Sequence, residues 1–538
     1  MPEPTHAARL TDSCLLLVGD ADPGNGFAVE SGRLVSSNLW LAIETENGGP
    51  DKALVQDLST LMRRTLAPLD AEAREQALEF IASTLQVVPE GERYELSEKL
   101  FGIREALRER LPLVAATEDD ALRVDRFVAV DDRSFYIEGS TGDAELARLT
   151  AVSPEGSRHE LLERLYRHGR PDAAEPPGFV CFFQLAAPSL RGDGWVFEFE
   201  STRGIAGEVQ GPAVLADPLD SRDAILGNSC IAPSPDDELM SVHVVPAISR
   251  VQSAIGTEPS VESVTQFGDR PRSPEISIVT PLYLQIEHLE SQLAQFADDP
   301  DLSAADIIYV LDSPQQSEEL LTYAADLFPI YRVPFRVAVL EQNFGFAGAN
   351  NAGAGLAEAR LLLLLNSDIL PDATGWLGTM RAFHDATPGI GALGPKLLYE
   401  DDSIQHAGMY YHRLPGSSKW VDGHYFKGMH RSLPAANEAR PVPLVSGSCL
   451  MIERALYEQL GGLSMAYVQG DYEDAELCLR LWQEGRKNWY LPDAELYHLE
   501  GQSYGADIRA PANRYNMWLH NEQWGDQIAQ LMANWEHG

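Results

Sequence analysis

The sequence predicts an α/β chain whose C-terminal half is a mostly parallel sheet with helices on both faces. That half is preceded by a mixed α/β segment and a small β-sandwich-like domain. Three observations carry this. From Glu275 onward, short apolar runs alternate with helical patterns. Residues 121–245 alternate short apolar runs with Gly, Asp and Pro clusters at hairpin-like spacing. The stretch 246–274 is rich in Ser, Pro and Glu and ends in Asp269-Arg270-Pro271-Arg272-Ser273-Pro274, which reads as a linker.

Taken in order, residues 1–120 open with β-like runs at 14–18 and 39–43. Helical patterns follow around 53–66, 71–85 and 94–110. In 121–245 the apolar runs 127–130, 135–138, 179–184 and 195–199 read as strands, with a helix near 159–167. Trp195 and Phe182 are candidate sugar platforms there, with buried core as the competing fate. From 275 to 510 the order is strand 276–279, helix 286–296, strand 307–311, helix 317–327, strand 335–340, helix 347–359 and strand 361–365. A helical tail is expected over 511–538.

Bulk properties narrow the function classes. A chain of 538 residues exceeds what one hydrophobic core supports, so several domains are expected. The formal net charge of −40 repels nucleic acid and anionic lipid, which excludes both as general partners. A polyanionic ligand must then be met locally by a metal ion, a few basic side chains or a helix N-terminus. The five cysteines, Cys14, Cys181, Cys230, Cys449 and Cys478, form no C-x-x-C pair and fit a reducing compartment. No signal-peptide pattern or membrane-length apolar run is present, so a cytoplasmic protein without an integral membrane segment is expected.

Ligands of parallel sheets bind beyond the carboxyl ends of the strands, and chemically capable residues cluster there in this sequence. Thr280, Pro281 and Tyr283 follow the first strand and Asp312 the second; such residues can wall a flat ring and accept from a base or ribose, although an aspartate at a strand end also simply forms turns. The run 343–353 interleaves Asn343, Gly345 and Asn350 with small residues. It suits a diphosphate at a helix N-terminus or, equally, a tightly packed βα turn. The apolar strand 361–365 ends in Asn366-Ser367-Asp368, offering one hard oxygen ligand for Mg²⁺ or Mn²⁺. Further ligands must converge from elsewhere; His498, in a strand-like patch, is the candidate. Finally, Glu473, Asp474 and Glu476 crowd the first turn of a helix, where acids favour the macrodipole or supply a general base.

In this order these residues resemble the family 2 glycosyltransferases of GT-A fold, over about 275–505. The telling pieces are N-x-G-F-A-G-A-N-N at 343–351, L-L-L-N-S-D at 363–368, S-G-S-C-L-M-I at 446–452, Y-E-D-A-E-L-C-L-R-L at 472–481 and Y-H at 497–498. The flavour is that of rhamnosyl- and galactofuranosyltransferases of bacterial surface polysaccharides. The resemblance implies an inverting, metal-dependent transfer from a nucleotide-diphosphate sugar, with UDP or dTDP favoured, to a glycan or glycolipid hydroxyl. Thr280, Pro281 and Asp312 would hold the nucleoside, with Asn343 and Asn350 near the donor. Asp368 matches the last acid of D-x-D and His498 a histidine that completes the Mn²⁺ or Mg²⁺ site. Asp474 matches the catalytic base, with Glu473 in reserve. Asn366 replaces the first acid of D-x-D, which lowers the charge at the site. The basic stretch 419–431, with Lys419, Lys427, His430 and Arg431, is either a loop closing on the donor phosphates or an ordinary solvated loop. Competing readings are a non-catalytic nucleotide-sugar or glycan scaffold, and nucleotidyl transfer, for which 276–283 lacks a basic phosphate-activating motif. Homo-oligomers are left open.

Overall fold

The computed structural model describes 122–141, 145–168, 178–189, 194–227, 237–256, 258–413, 417–499 and 506–535, together with five short strands among the first 56 residues. The chain divides into two compact units, Met1–Ala232 with Asp236–Ala254, and Pro233–Pro235 with Ile255–Gly538.

In the first unit the strands Cys14–Val18 and Leu39–Glu44 pair antiparallel. Val55–Gln56, inside the helix expected over 53–66, is instead a short strand parallel to His6–Arg9. The remaining helices expected before residue 120 lie outside the described residues. Beyond residue 122 two four-stranded antiparallel sheets form, one ordered Tyr166–His168, Gly178–Gln184, Ser134–Ser140, Arg123–Ala129. The other runs Ala206–Gln210, Val196–Ser201, Leu146–Val152, Arg158–Glu160. Apolar residues of both sheets share one core. Trp195 lies in that core at 1% exposure, its ring 5.1 Å from Phe127 and 4.8 Å from Phe135, so it is no sugar platform. Phe182, half-buried, alternates out of the same core. The helix expected over 159–167 is a single 3₁₀ turn, Leu162–Arg164, between two edge strands. Pairing with Leu146–Val152 and Gly178–Gln184 takes the backbone groups that a helix would have used.

The stretch expected as a linker holds the helix Val245–Ile255, nearly all of it in the first unit, and then β1 (Val261–Phe267), which opens the second unit. The polar composition hides a strand that needs only one apolar side. It lies antiparallel on β4 (Phe335–Leu340), with Phe267 stacked 4.9 Å from Phe335. The helix-bearing repeat follows as read: β2 (Ile276–Leu282), α1 (His288–Phe296), β3 (Asp306–Leu311), α2 (Ser317–Tyr331), β4, α3 (Gly345–Leu356) and β5 (Leu361–Leu365). β2, β3 and β4 run parallel in spatial order, and β5 joins β2 on its other side. The order therefore reverses beside β2, and a crevice opens at the carboxyl ends of β2 and β5.

β5 is five leucines, all buried, because helices or neighbouring strands cover both of its faces; full burial of each contributes roughly 1.5–3 kcal/mol. The sheet continues through β6 (Ile369–Pro371), α4 (Trp376–Ala386), β7 (Ile390–Leu398) and β8 (Ile404–His406). A hairpin of β9 (Met409–Arg413) and β10 (Trp420–His424) stands apart from it. The short β11 (Arg440–Val442), then β12 (Cys449–Glu453), α5 (Arg454–Gln459), α6 (Glu473–Gln483), β13 (Lys487–His498) and α7 (Ala506–Ala533) complete the unit. The eleven-stranded order is β1-β4-β3-β2-β5-β12-β7-β13-β6, with β8 on β7 and β11 on β13. The sequence-level fold class, an α/β half after a sandwich-like domain, is what the structure shows, with β4, β3, β2 and β5 parallel as expected and most of the flanking pairings antiparallel. Cys181, Cys449 and Cys478 are buried free thiols. Among the described residues no helix is long and apolar enough to cross a membrane.

Candidate functional site

The crevice at the carboxyl ends of β2 and β5 is a cleft whose walls include Pro281, Tyr283, Asn366, Ser367, Asp368 and His498. β6 pairs antiparallel with β13 so that Ile369 faces His498, which brings Asp368 and His498 together from opposite parts of the chain. Asp368 Oδ1 lies 3.3 Å from His498 Nε2, both residues being less than a tenth exposed. His498 Nδ1 stands 2.6 Å from Gln405 Oε1. With Nδ1 donating to Gln405, Nε2 turns a lone pair toward the Asp368 carboxylate, and two acceptors at that distance need a proton or a cation between them. Burial opposes the Asp368 charge; where the proton between them sits on Nε2, the hydrogen bond and charge of His498 outweigh burial and, with His288, hold the carboxyl below its ordinary value. An oxygen and a nitrogen ligand so placed fit Mg²⁺ or Mn²⁺, with the rest of the shell open to phosphate oxygens and water. Among the described residues no group of three or more His, Cys, Asp or Glu is placed to hold a metal ion, so the protein's share of such a shell would be this pair.

The turn carrying Asp368 is held from behind. Gln292 of α1, fully buried, donates through Nε2 to Asn366 O at 2.8 Å and Ile369 O at 3.1 Å. Asn366 N donates to Ser448 O at 2.8 Å, which ties the turn to the strand end preceding β12.

The opposite wall contains Glu473 and Asp474 at the start of α6. Asp474 is half-buried; its Oδ2 accepts from Gly447 N at 2.6 Å and its Oδ1 from Ala475 N at 2.7 Å. Burial pushes its pKa up to about 6 against the Gly447 bond, with Asp422 adding to the rise. Gly447 is where the S-G-S segment passes over this carboxylate, since a Cβ there would sit 3.0 Å from Asp474 Cβ. Glu473 is fully buried with Oε2 lacking a protein partner, and burial followed by the charges of Asp474 and Asp471 raises it well above the ordinary carboxylate value. Both are pushed up by burial, but the two backbone N–H donors hold Asp474 nearer its ordinary value, whereas the charges of Asp474 and Asp471 drive Glu473 further up.

The nucleoside candidates divide. Pro281, Tyr283 and Asp312 line the cleft. Thr280 points the other way along the same strand and is wholly buried, its Oγ1 without a partner. Asn343, Gly345 and Asn350 are not among the lining residues. Asp312 accepts from Phe344 N at 2.7 Å, Gly345 N at 2.9 Å and Asn343 Nδ2 at 3.1 Å. These two N–H groups at the start of α3, where the sequence allowed either a diphosphate seat or a tightly packed turn, are met by the chain's own carboxylate. Farther along α3, a Cβ on Gly353 would lie 2.3 Å from Val279 Cγ1, so this glycine serves close helix–sheet packing. Asn350 Nδ2 bonds Phe346 O within its own helix, and Asn351 holds Leu463 and Tyr457.

The basic stretch also divides. Arg431 is bound to Asp372, Asp402 and Glu495, and Lys419 pairs with Glu522 at 3.1 Å. Lys427 alone among the described Lys and Arg residues lines the cleft. Sequence reading missed Gln292, Gln405, Asp422 and His424. The first two are amides inside ordinary helix and strand patterns, and the other two sit on a hairpin that no family-like motif marks.

Comparison with known proteins follows this geometry. Residues 277–461, roughly a third of the chain, match the model of Glycosyl transferase family 2. The chain is 29% identical over 186 residues to the O-antigen biosynthesis protein RfbC of Myxococcus xanthus, covering 34% of this chain and 14% of that protein. It is 32% identical over 146 residues to an N-acetylglucosaminyl-diphospho-decaprenol L-rhamnosyltransferase of Mycobacterium tuberculosis, covering 26% of this chain and 47% of the relative. The chain thus spans less than half the length of these curated relatives. A crystal structure of GalNAc-T7 with UDP, GalNAc and Mn²⁺ aligns with a TM-score of 0.37 at 19% identity over 47% of this chain and 49% of that one, too weak a likeness to build on. Glu473, Asp474 and His498 lie beyond the matched residues and join the site through geometry alone.

Proposed function

We propose, from the match of residues 277–461 to the Glycosyl transferase family 2 model, that the protein moves a sugar from a nucleotide-diphosphate donor to a hydroxyl of a glycan acceptor, with inversion at the anomeric carbon. The observation that carries this is one cleft at the sheet's switch point, with an Asp368–His498 pair on one wall and Asp474, poised near 6, on the other. Pro281 and Tyr283 would wall the base, and Asp312 would accept from its edge or from the ribose. Asp368 and His498 would hold Mn²⁺ or Mg²⁺, which supplies charge neutralisation for the departing diphosphate. Lys427 is the cationic side chain placed to add to it. The acceptor oxygen bonds to the anomeric carbon as the bond to the diphosphate oxygen breaks; the diphosphate leaves with the electron pair and the hydroxyl proton passes to Asp474. Such base assistance is typically worth about 10²–10⁴-fold. The names of the two relatives support an acceptor in surface-polysaccharide or glycoconjugate synthesis.

The experiment is a donor screen. The full chain is incubated with UDP-, dTDP- and GDP-sugars and Mn²⁺ or Mg²⁺, and nucleotide-diphosphate release is read with and without EDTA. Release from one donor is expected, lost with EDTA and in Asp368→Ala, and reduced about 10²-fold or more in Asp474→Asn with donor binding retained. If no nucleotide-sugar is turned over or bound by calorimetry, the transferase reading fails. Binding without turnover for any donor or acceptor would instead leave a scaffold.

A further inference from the structure

The chain enters α6, and so reaches Glu473 and Asp474, through four consecutive residues of positive φ: Gln469 at 63°, Gly470 at 129°, Asp471 at 77° and Tyr472 at 78°. Three of them are not glycine, and side-chain-bearing residues rarely hold this conformation unless their surroundings impose it. The imposing groups come from one face of α7. Asn516, wholly buried, accepts through Oδ1 from Val468 N at 2.9 Å. Its Nδ2 shares its hydrogens among Val468 O at 3.0 Å, Gly470 O at 2.7 Å and Asp471 O at 3.1 Å. One turn earlier, Asn513 Nδ2 donates to Asp471 Oδ2 at 3.1 Å.

One turn later, His520 lies wholly buried between two hydroxyls. Tyr467 OH is 2.9 Å from its Nδ1 and Tyr411 OH 2.8 Å from its Nε2, with the Tyr472 ring 5.0 Å away. Burial lowers its pKa to about 3, so the imidazole stays neutral and can donate to one tyrosine while accepting from the other. Asn521 accepts from Trp420 N at 2.6 Å and donates to Trp420 O at 2.8 Å, fixing the start of β10, the strand that carries Asp422 and His424 into the cleft. Positions 513, 516, 520 and 521 share one side of a helix.

We propose that α7 is a splint for the acidic wall of the cleft, and that Asn516 is a positioning residue that sets the catalytic carboxylate through the backbone of 468–471. The inference rests on Asp474 being the base. Asn516 never touches a reacting atom; it fixes the carbonyls whose direction decides where α6 begins. The ionisable groups around Asp474 are Glu473, Asp471 and Tyr472 on its own segment, Asp422 on β10, Tyr411 on β9 and Cys478 one turn on. The clamp holds two of these carboxyl-bearing elements, the loop and β10, at fixed distance from it.

The test uses the full chain carrying Asn516→Ala, Asn516→Asp and, separately, Asn513→Ala. Turnover of the donor found by the screen is measured with Mn²⁺. The Asp474 titration is followed by carboxyl ¹³C NMR, its signal assigned by its loss in Asp474→Asn. For Asn516→Asp, which keeps the acceptor and loses the donors, kcat is expected to fall at least about tenfold while donor KM changes less than about twofold. In Asn516→Ala, which adds no carboxyl of its own, the Asp474 titration should move below 6, toward the ordinary carboxylate value, as the loop opens to water. Asn513→Ala, on a half-buried residue, should show the same pattern more weakly. Unchanged kcat and titration in folded variants would overturn the proposal. So would a parallel loss of kcat, donor binding and thermal stability in all three, which would make α7 a scaffold only. If the wild type turns over no donor, the functional assignment fails by itself, while the titration still decides whether Asn516 sets the environment of Asp474.

Discussion

Asp474 and Glu473 are chain neighbours in different surroundings, and the consequence for Asp474 is measurable. Asp474 keeps two backbone N–H donors against burial and rests at about 6; Glu473 has an orphaned oxygen and lies well above the ordinary value. A general base works unprotonated, and a raised pKa extends the protonated form to higher pH. kcat/KM should therefore rise about tenfold per pH unit below 6 and level off above it. Asp422→Asn, by removing a neighbouring negative charge, should move that limb to lower pH. A limb that stays in place in Asp422→Asn, or one centred above 7, would count against Asp474. At this scale the sequence nominated Asp368, His498, Glu473 and Asp474, and all four lie on the cleft. It could not sort Thr280 from Pro281, because adjacent strand residues face opposite sides and only packing decides which side holds the ligand. Nor could it show that His498 needs Gln405, since a partner that fixes a tautomer comes from a different strand and leaves no spacing to read.

Among elements, α3 shows a family-like motif whose place is legible in the sequence and whose purpose is not. Its small residues suit a diphosphate or, equally, a tightly packed turn. Asp312 caps the first turn, and Gly353 lets the helix settle onto β2 and β3, as the packed turn requires. Gly353→Ala decides whether packing is the reason. Alanine is favoured in a helix by about 1 kcal/mol over glycine. The new Cβ, however, would lie 2.3 Å from Val279 Cγ1 and 2.9 Å from Val310 Cγ2, both on buried strands that cannot yield easily. Overpacking of this kind costs typically about 1–3 kcal/mol, so net destabilisation is expected in thermal or urea unfolding, with nucleotide binding by the folded protein retained. A neutral or stabilising result would mean that the helix–sheet contact is looser than its geometry. The loop before α6 lies at the other extreme, with three non-glycine residues at positive φ, each costing on the order of 1–3 kcal/mol. Periodicity cannot reveal such a segment, and it also concealed β1, whose polar residues read as linker because an edge strand needs apolar residues on one side only.

For the whole molecule, charge is the property most legible from sequence and the hardest to translate into a site. The chain carries −40 overall, and part of that charge lines the cleft, where Asp312, Asp368, Asp422, Asp471, Glu473 and Asp474 stand against Lys427 as the one described Lys or Arg. Arg431, which composition offered as a phosphate ligand, is spent on three carboxylates of its own unit. On the proposed function, a nucleotide diphosphate would approach a repulsive field and be met by short-range groups, a cation held at Asp368 and His498 together with Lys427. Long-range repulsion is screened over about 10 Å at 0.1 M salt, whereas contacts inside a partly buried site are screened much less. Raising monovalent salt from about 10 to 150 mM at fixed Mn²⁺ should then increase the association rate of a nucleotide diphosphate and change its dissociation rate little, the reverse of what a basic polyanion-binding surface gives. Stopped-flow measurement with a fluorescent nucleotide separates the two rates. An association rate that falls with salt would mean that the cation and Lys427 dominate the field seen at a distance, and that the acidic surface contributes nothing to how the donor arrives.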